Sequence, residues 1–100
     1  MIFIDQEIRK IRPAIIVSNN ANNRVSEIVT VIPITFNVTK VYPFEVFIAA
    51  NESGLPKDSK AQCQQLRTVS VQRIISHKIG ALKSATIGKV NVGMRLHLSV

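Results

Sequence analysis

Residues 28–35 read Ile-Val-Thr-Val-Ile-Pro-Ile-Thr, an apolar, largely β-branched run with no charge in it. Branching at Cβ stiffens χ1 and suits a pleated strand, and a nearly continuous run predicts a strand covered on both faces. Pro33 lies inside the run and has no backbone donor, so a bulge or the end of regular pairing is expected there. A chain of 100 residues has room for one core around such a strand, so residues 1–100 are expected to form a single domain. With 46% hydrophobic and 19% charged residues the composition is globular and excludes a disordered chain.

Around this strand, apolar runs alternate with short polar breaks. Ala14–Ser18, after Pro13, is a second strand candidate, and Asn19–Asn23 is rich in a residue that favours turns and helix caps. Phe44–Ala49 reads as a strand and residues 51–58 as a loop. Ser59–Leu66 is a strand with weak alternation, Ser70–Ile75 has one turn of helical spacing with Ser70 as its cap, and Ile79–Leu82 is a short strand broken by Gly80. From Ser84, a candidate N-cap, the pattern fits two periods. Ile87, Val90, Met94 and Leu98 fall at helical steps, while Val90, Val92, Met94, Leu96, Leu98 and Val100 alternate. Gly88 and Gly93 would each cost a helix about 1 kcal/mol relative to alanine. Several short strands with minor helices predict a small, mostly β barrel or sandwich.

Charge and cysteine narrow the function classes. All six acids lie in residues 1–58, where six basic residues balance them, so the +7 excess resides in residues 59–100, in Lys60, Arg67, Arg73, Lys78, Lys83, Lys89 and Arg95. Such asymmetry favours a polyanionic partner, whether nucleic acid, acidic protein or anionic surface. The single Cys63 excludes an intrachain disulfide and a cysteine-built zinc site, and neither His77 nor His97 stands in a metal-ligand spacing. No apolar run reaches the length of a membrane span, and Met1–Ile4 is too short for a signal peptide, so a cytoplasmic location is the default expectation.

Four segments in order carry a family resemblance: Glu7-Ile-Arg-Lys-Ile-Arg12-Pro13, Pro33-Ile34-Thr35, Tyr42-Pro43-Phe44-Glu45-Val46 and Gln65-Leu66-Arg67-Thr68. From about Gln6 to Leu98 the chain resembles the MazF/PemK family of toxin endoribonucleases. The resemblance implies an SH3-like β-barrel with small helices and a C-terminal helix, which tips Ser84–Leu98 towards helix. It also implies a homodimer, a peptide-like antitoxin partner and cleavage of single-stranded RNA without metal or other cofactor, leaving a 2′,3′-cyclic phosphate and a 5′-hydroxyl. By the same resemblance Arg12 matches the catalytic arginine, Thr35 the catalytic threonine, Glu7 the acid of the preceding loop, and Gln65 and Arg67 polar positions associated with RNA contact. Arg9, Lys10, Asn19, Asn37 and Tyr42 complete the candidate RNA-binding set.

Those side chains suit the reaction. RNA brings its own nucleophile, the 2′-hydroxyl, so the protein must align it and stabilise charge gathering on the phosphoryl oxygens. The Arg12 fork can hold two phosphate oxygens and stays charged, which favours an electrostatic stabiliser, with proton donation to the leaving group as the weaker assignment. Thr35 offers one hydroxyl donor to a non-bridging oxygen; its bland alternative is a β-former at a strand end. Glu7 either orients Arg12 or accepts the 2′-hydroxyl proton, and orientation is favoured. Tyr42 could stack on a base, as Phe44 and Phe47 more rarely would.

Three departures from the family pattern stand out. Only Met1–Gln6 precedes Glu7, so the first strand is expected to be truncated and its loop glycine is missing. Gln6 and Ile8 replace the serine and glutamine that flank the family's acid. Gln64 stands where the family commonly has an acid. The alternatives to an active nuclease are therefore a catalytically impaired homologue that binds antitoxin, or a gyrase-poison-like toxin of the same fold acting by protein contact.

Overall fold

The computed structural model describes residues 2–7, 11–76 and 80–100. The chain runs β1 (Ile2–Glu7), β2 (Ile11–Ile16), α1 (Asn20–Val25), β3 (Ile28–Thr35), β4 (Glu45–Ile48), α2 (Ala50–Ser53), β5 (Ser59–Gln62), β6 (Arg67–Ser70), β7 (Ile74–Ser76) and α3 (Ser84–Leu98). Single 3-10 turns at Cys63–Gln65 and Val71–Arg73 bracket β6. The strands form one antiparallel seven-stranded sheet in the order β4-β5-β3-β2-β1-β7, with β6 also paired to β3. The mostly β class with a C-terminal helix is the expected one. The sheet itself is not closed into a barrel, because its path ends at β4 and β7 rather than joining them. The short segment ahead of Glu7 is itself a strand: β1 spans six residues and pairs with β2 from Ile2↔Ile16 to Glu7↔Ile11.

β3 is the spine, as its composition predicts. Val29, Val31, Ile32 and Ile34 are buried, alternate residues entering two separate clusters on the two faces. Ile32 and Ile34 join Ile15, Val46, Ile48, Ala61, Cys63 and Val90, the side on which α3 packs, while Val29 and Val31 join Ala14 and Val69. Pro33 lies where pairing changes on both edges of β3, the β6 ladder having ended at Val31. The β2 ladder ends at Ala14↔Pro33, and the β5 ladder starts one residue on at Ile34↔Ala61. A residue without an N–H is tolerated where one ladder stops and the next begins.

Local boundaries shift for similar reasons. β2 begins at Ile11, so Pro13 lies within it, paired with Asp5 but one residue beyond the β2–β3 ladder, where a missing donor costs that ladder nothing. The asparagine-rich break is α1, with the Asn19 side chain capping it by accepting from the Asn22 N–H at 2.8 Å. The strand expected over Ser59–Leu66 stops at Gln62, and the next three residues turn. Ser70 caps its turn as expected, accepting from the Gln72 N–H at 3.2 Å. Ile79–Leu82 contributes a lone bridge at Ala81 and the buried Leu82; Ile79 lies outside the described residues. Ser84 is not an N-cap. The cap of α3 is Lys83, which makes no side-chain cap bond, and its N–H donates instead to Glu52 Oε2 of α2 at 3.2 Å.

Candidate active site

Strand parity gathers most of the polar residues of interest on one face of the sheet. In β2, Arg12 shares a face with Ala14, and the pairing Ala14↔Pro33 puts that face on the same side as Val31, Pro33 and Thr35 of β3. Carried two residues beyond its last pair, the same register sets Arg12 opposite Thr35. β5 and β6 extend the face, with Lys60 paired to Thr35 and Arg67 paired to Val31.

Arg12 is exposed, and its guanidinium makes no hydrogen bond or ion pair among the described residues. Gln6, not Glu7, is its partner in the β1–β2 register; Glu7 pairs with Ile11. Thr35 is half-buried at the end of β3, and its Oγ1 accepts from the Asn37 N–H at 3.3 Å. That bond uses an oxygen lone pair and leaves the hydroxyl proton for donation to another group. Asn37 Oδ1 accepts in turn from the Thr39 N–H at 3.2 Å, so two successive side-chain turns fix the chain that leaves β3.

The remaining candidates divide. Arg67 Nη2 donates to Gln65 Oε1 at 3.2 Å, so these two act as one polar unit at the start of β6. Tyr42 is exposed in the loop before β4, its ring parallel to that of Phe44 with centroids 5.6 Å apart and Lys40 Nζ 4.6 Å from the Tyr42 centroid. Asn19 spends its amide oxygen on the α1 cap, at the opposite end of β3 from Thr35. Arg9, Lys10 and His77 lie outside the described residues. His97 is exposed on α3, tilted against Phe44 at 6.5 Å. A shallow cleft of about 390 Å³ along α3, lined by Val92, Arg95, Leu96, Ser99 and Val100, contains none of the predicted site residues.

Beside Thr35 lies a network that the residue patterns did not single out. Lys60 Nζ donates to Glu45 Oε1 at 2.9 Å with both side chains buried, and Gln64 Nε2 donates to Glu45 Oε2 at 2.7 Å. Burial pushes the Glu45 carboxyl up, but the bonds from Lys60, Gln64 and the Tyr42 N–H together outweigh it and hold the carboxyl below its ordinary range. The available signal was one charge in each of two short, otherwise uncharged strand segments, a placement seldom tolerated without a partner once buried. Gln64, where the family commonly carries an acid, serves here as a donor to a carboxylate. Behind this network, burial pushes the Cys63 thiol up to about 11 and makes it a packing group.

Comparison with known proteins agrees with this architecture. Residues 3–98 match the model of the PemK-like, MazF-like toxins of type II toxin–antitoxin systems. The chain is 36% identical over 94 residues to endoribonuclease MazF9 of Mycobacterium tuberculosis, covering 89% of this chain and 79% of that protein. The solved M. tuberculosis toxin MazF-mt6 superposes with a TM-score of 0.90 at 22% identity, over 100% of this chain and 98% of that one. A mycobacterial endoribonuclease solved in complex with its cognate antitoxin superposes with a TM-score of 0.86 at 21% identity, over 99% and 92% of the two chains. With a family model spanning nearly the whole sequence and a curated relative above a third identical, this chain belongs to the PemK-like, MazF-like toxin family of type II toxin–antitoxin systems.

Proposed function

We propose that residues 1–100 form one toxin domain that acts as an endoribonuclease on single-stranded RNA, by attack of the 2′-hydroxyl on the adjacent phosphorus. The observation that carries this reading is the shared sheet face of Arg12 and Thr35, with a guanidinium and a hydroxyl proton that meet no partner among the described residues. The likeness to a protein named endoribonuclease supports the same chemistry. Arg12 binds two oxygens of the scissile phosphate and stabilises the charge that builds on them. Thr35 donates to a non-bridging oxygen and fixes the phosphate against the end of β3. Glu7 orients Arg12. Arg9, Lys10, Asn19, Asn37, Tyr42, Gln65 and Arg67 bind the strand on either side. The 2′-hydroxyl gives its proton to solvent as its oxygen closes on phosphorus, the bond from phosphorus to the 5′-oxygen breaks, and the leaving 5′-oxygen takes up a proton, which gives a 2′,3′-cyclic phosphate and a 5′-hydroxyl with no net change in protons and no metal required. A cognate antitoxin, a homodimer and a cytoplasmic location complete the reading; no helix among the described residues is long and apolar enough to cross a membrane.

The test is purified protein with a mixed-sequence RNA in EDTA, followed by end-group analysis. Cyclic phosphate ends are expected, with cleavage abolished in Arg12→Ala and reduced about tenfold or more in Thr35→Ala, the scale of a lost donor to a developing charge. Undiminished cleavage by Arg12→Ala would remove the mechanism. Intact RNA together with tight antitoxin binding would favour a sequestering homologue.

A further inference from the structure

Lys60 and Glu45 form a buried ion pair in a small sheet, and such a pair is a weak device for stability alone, since apolar residues of similar volume often do as well. What apolar residues cannot do is hold backbone polar groups. Lys60 Nζ also donates to the Lys40 carbonyl, and Glu45 Oε1 also accepts from the Tyr42 N–H at 3.0 Å. A backbone bond from the Glu45 N–H to the Tyr42 carbonyl, at 2.8 Å, closes the turn. The loop that carries Tyr42 is thus fastened to the residue paired with Thr35.

The fastened group has the form of a stacking surface. The Tyr42 ring is 43% exposed, rests parallel to Phe44 and carries the Lys40 ammonium over it at 4.6 Å, with the buried Lys60 Nζ farther off at 5.9 Å from the same centroid. A cation over an exposed ring is held more weakly than a base stacked on one, so a base can take that place. The displaced ammonium is then free to pair with a phosphate of the same strand.

We infer that the Lys60–Glu45 pair positions Tyr42 as a platform for one unpaired base of the RNA, adjoining the linkage held at Thr35, with Lys40 passing from the ring to a neighbouring phosphate. This rests on the nuclease reading for the identity of the strand. Lys60 and Glu45 are positioning residues, because they act through Tyr42.

Tyr42 is the only tyrosine and the chain has no tryptophan, so its emission reports on the platform directly. The probe is a short mixed-sequence single-stranded RNA carrying 2′-O-methyl groups throughout, which lacks the nucleophile. Its binding is expected to quench Tyr42 emission in the wild type, and in Arg12→Ala to reach the same depth only at higher RNA concentration, since that variant has lost a phosphate contact. With cleavable RNA, Tyr42→Ala is expected to raise KM about tenfold or more with kcat within about twofold, and Tyr42→Trp to restore KM. The double variant Lys60→Met/Glu45→Met removes the pair without stranding a buried charge. It is expected to stay folded with a lower melting temperature, because the Tyr42 N–H and the Gln64 amide lose their acceptor, and to lose the quenching and show the same rise in KM. Unchanged KM and quenching in that variant would overturn the positioning role, and failure of the variant to fold would reduce the pair to a stability element. An oligonucleotide that leaves wild-type emission unchanged overturns the platform, whatever the cleavage assay shows. Quenching without cleavage of the unmodified RNA would instead sink the nuclease reading and leave the platform standing.

Discussion

Gly93 on α3 lies so close to Cys63 that a Cβ built on it would stand 2.8 Å from Cys63 Sγ and 3.1 Å from the Phe44 carbonyl oxygen. Gly88, one and a half turns earlier, faces open space, with nothing within 4 Å of the same position. The two glycines therefore respond oppositely to alanine. Gly88→Ala should gain about 1 kcal/mol from helix propensity. Gly93→Ala gains as much locally but must shift a buried sulfur and a backbone carbonyl, an overpacking cost of about 1–3 kcal/mol, so a net loss is expected. Thermal melts check both, at roughly 4–8 °C per kcal/mol for a domain of this size.

Gln64→Glu should lower stability at neutral pH. The amide nitrogen that donates to Glu45 Oε2 at 2.7 Å becomes an oxygen, and two carboxylates confront each other in a buried place. Like charges at that distance raise one of the two carboxyls, so the deficit should shrink as pH falls and one proton is shared. Urea midpoints at pH 7 and pH 5 measure this; an equal deficit at both would argue against the contact.

Acid should destabilise the fold through Glu45 and Glu52. Bonds hold the Glu45 carboxyl below its ordinary value of 4.5, and the Thr86 hydroxyl, with the Lys83 N–H, does the same for Glu52 against the pull of its partial burial. A carboxyl lowered in the folded state contributes stability that is fully present above its unfolded value. That contribution is lost as pH falls through the lower folded value. Melting temperature should thus be flat from pH 7 to about 5 and fall below roughly 4.5. Glu52→Gln should flatten part of that fall.

Thr35→Ser should retain most cleavage and Thr35→Val should lose it, because the role argued for Thr35 needs the hydroxyl and not the methyl. Valine keeps the β-branched shape at the end of β3. Both variants should therefore melt close to the wild type, and single-turnover cleavage of RNA separates them.

Asn19→Asp should keep the α1 cap, since the carboxylate still accepts from the Asn22 N–H, whereas Asn19→Ala should cost about 1 kcal/mol. Comparing RNA affinity in the two variants separates a contact through the lost amide donor from a loss of local structure.

Patterns that repeat within a few residues were legible in advance. The run from Ile28 to Thr35 declared a strand buried on both sides, Pro33 declared an interruption of pairing, and Ser70 declared a capped turn. The residues between Ser84 and Leu98 left helix and strand open, because their apolar positions satisfy both periods; the helix docks with Val90 and Gly93 inward. The sequence offers Ser84 as the cap of α3, but Lys83 takes that position with its own N–H bonded to Glu52 of α2, a partner that neighbouring residues cannot announce.

Local chemistry by itself determined the strand-rich class, the basic second half and the residue types suited to holding a phosphate. Only the tertiary structure decided that Arg12 and Thr35 share a sheet face, that Lys60 finds Glu45, and that one glycine of α3 is indispensable while the other is spare. Propensity and hydrophobic period act between residues a turn or a pleat apart. Strand register and helix docking bring together groups distant along the chain, and their outcome depends on every element packed at once.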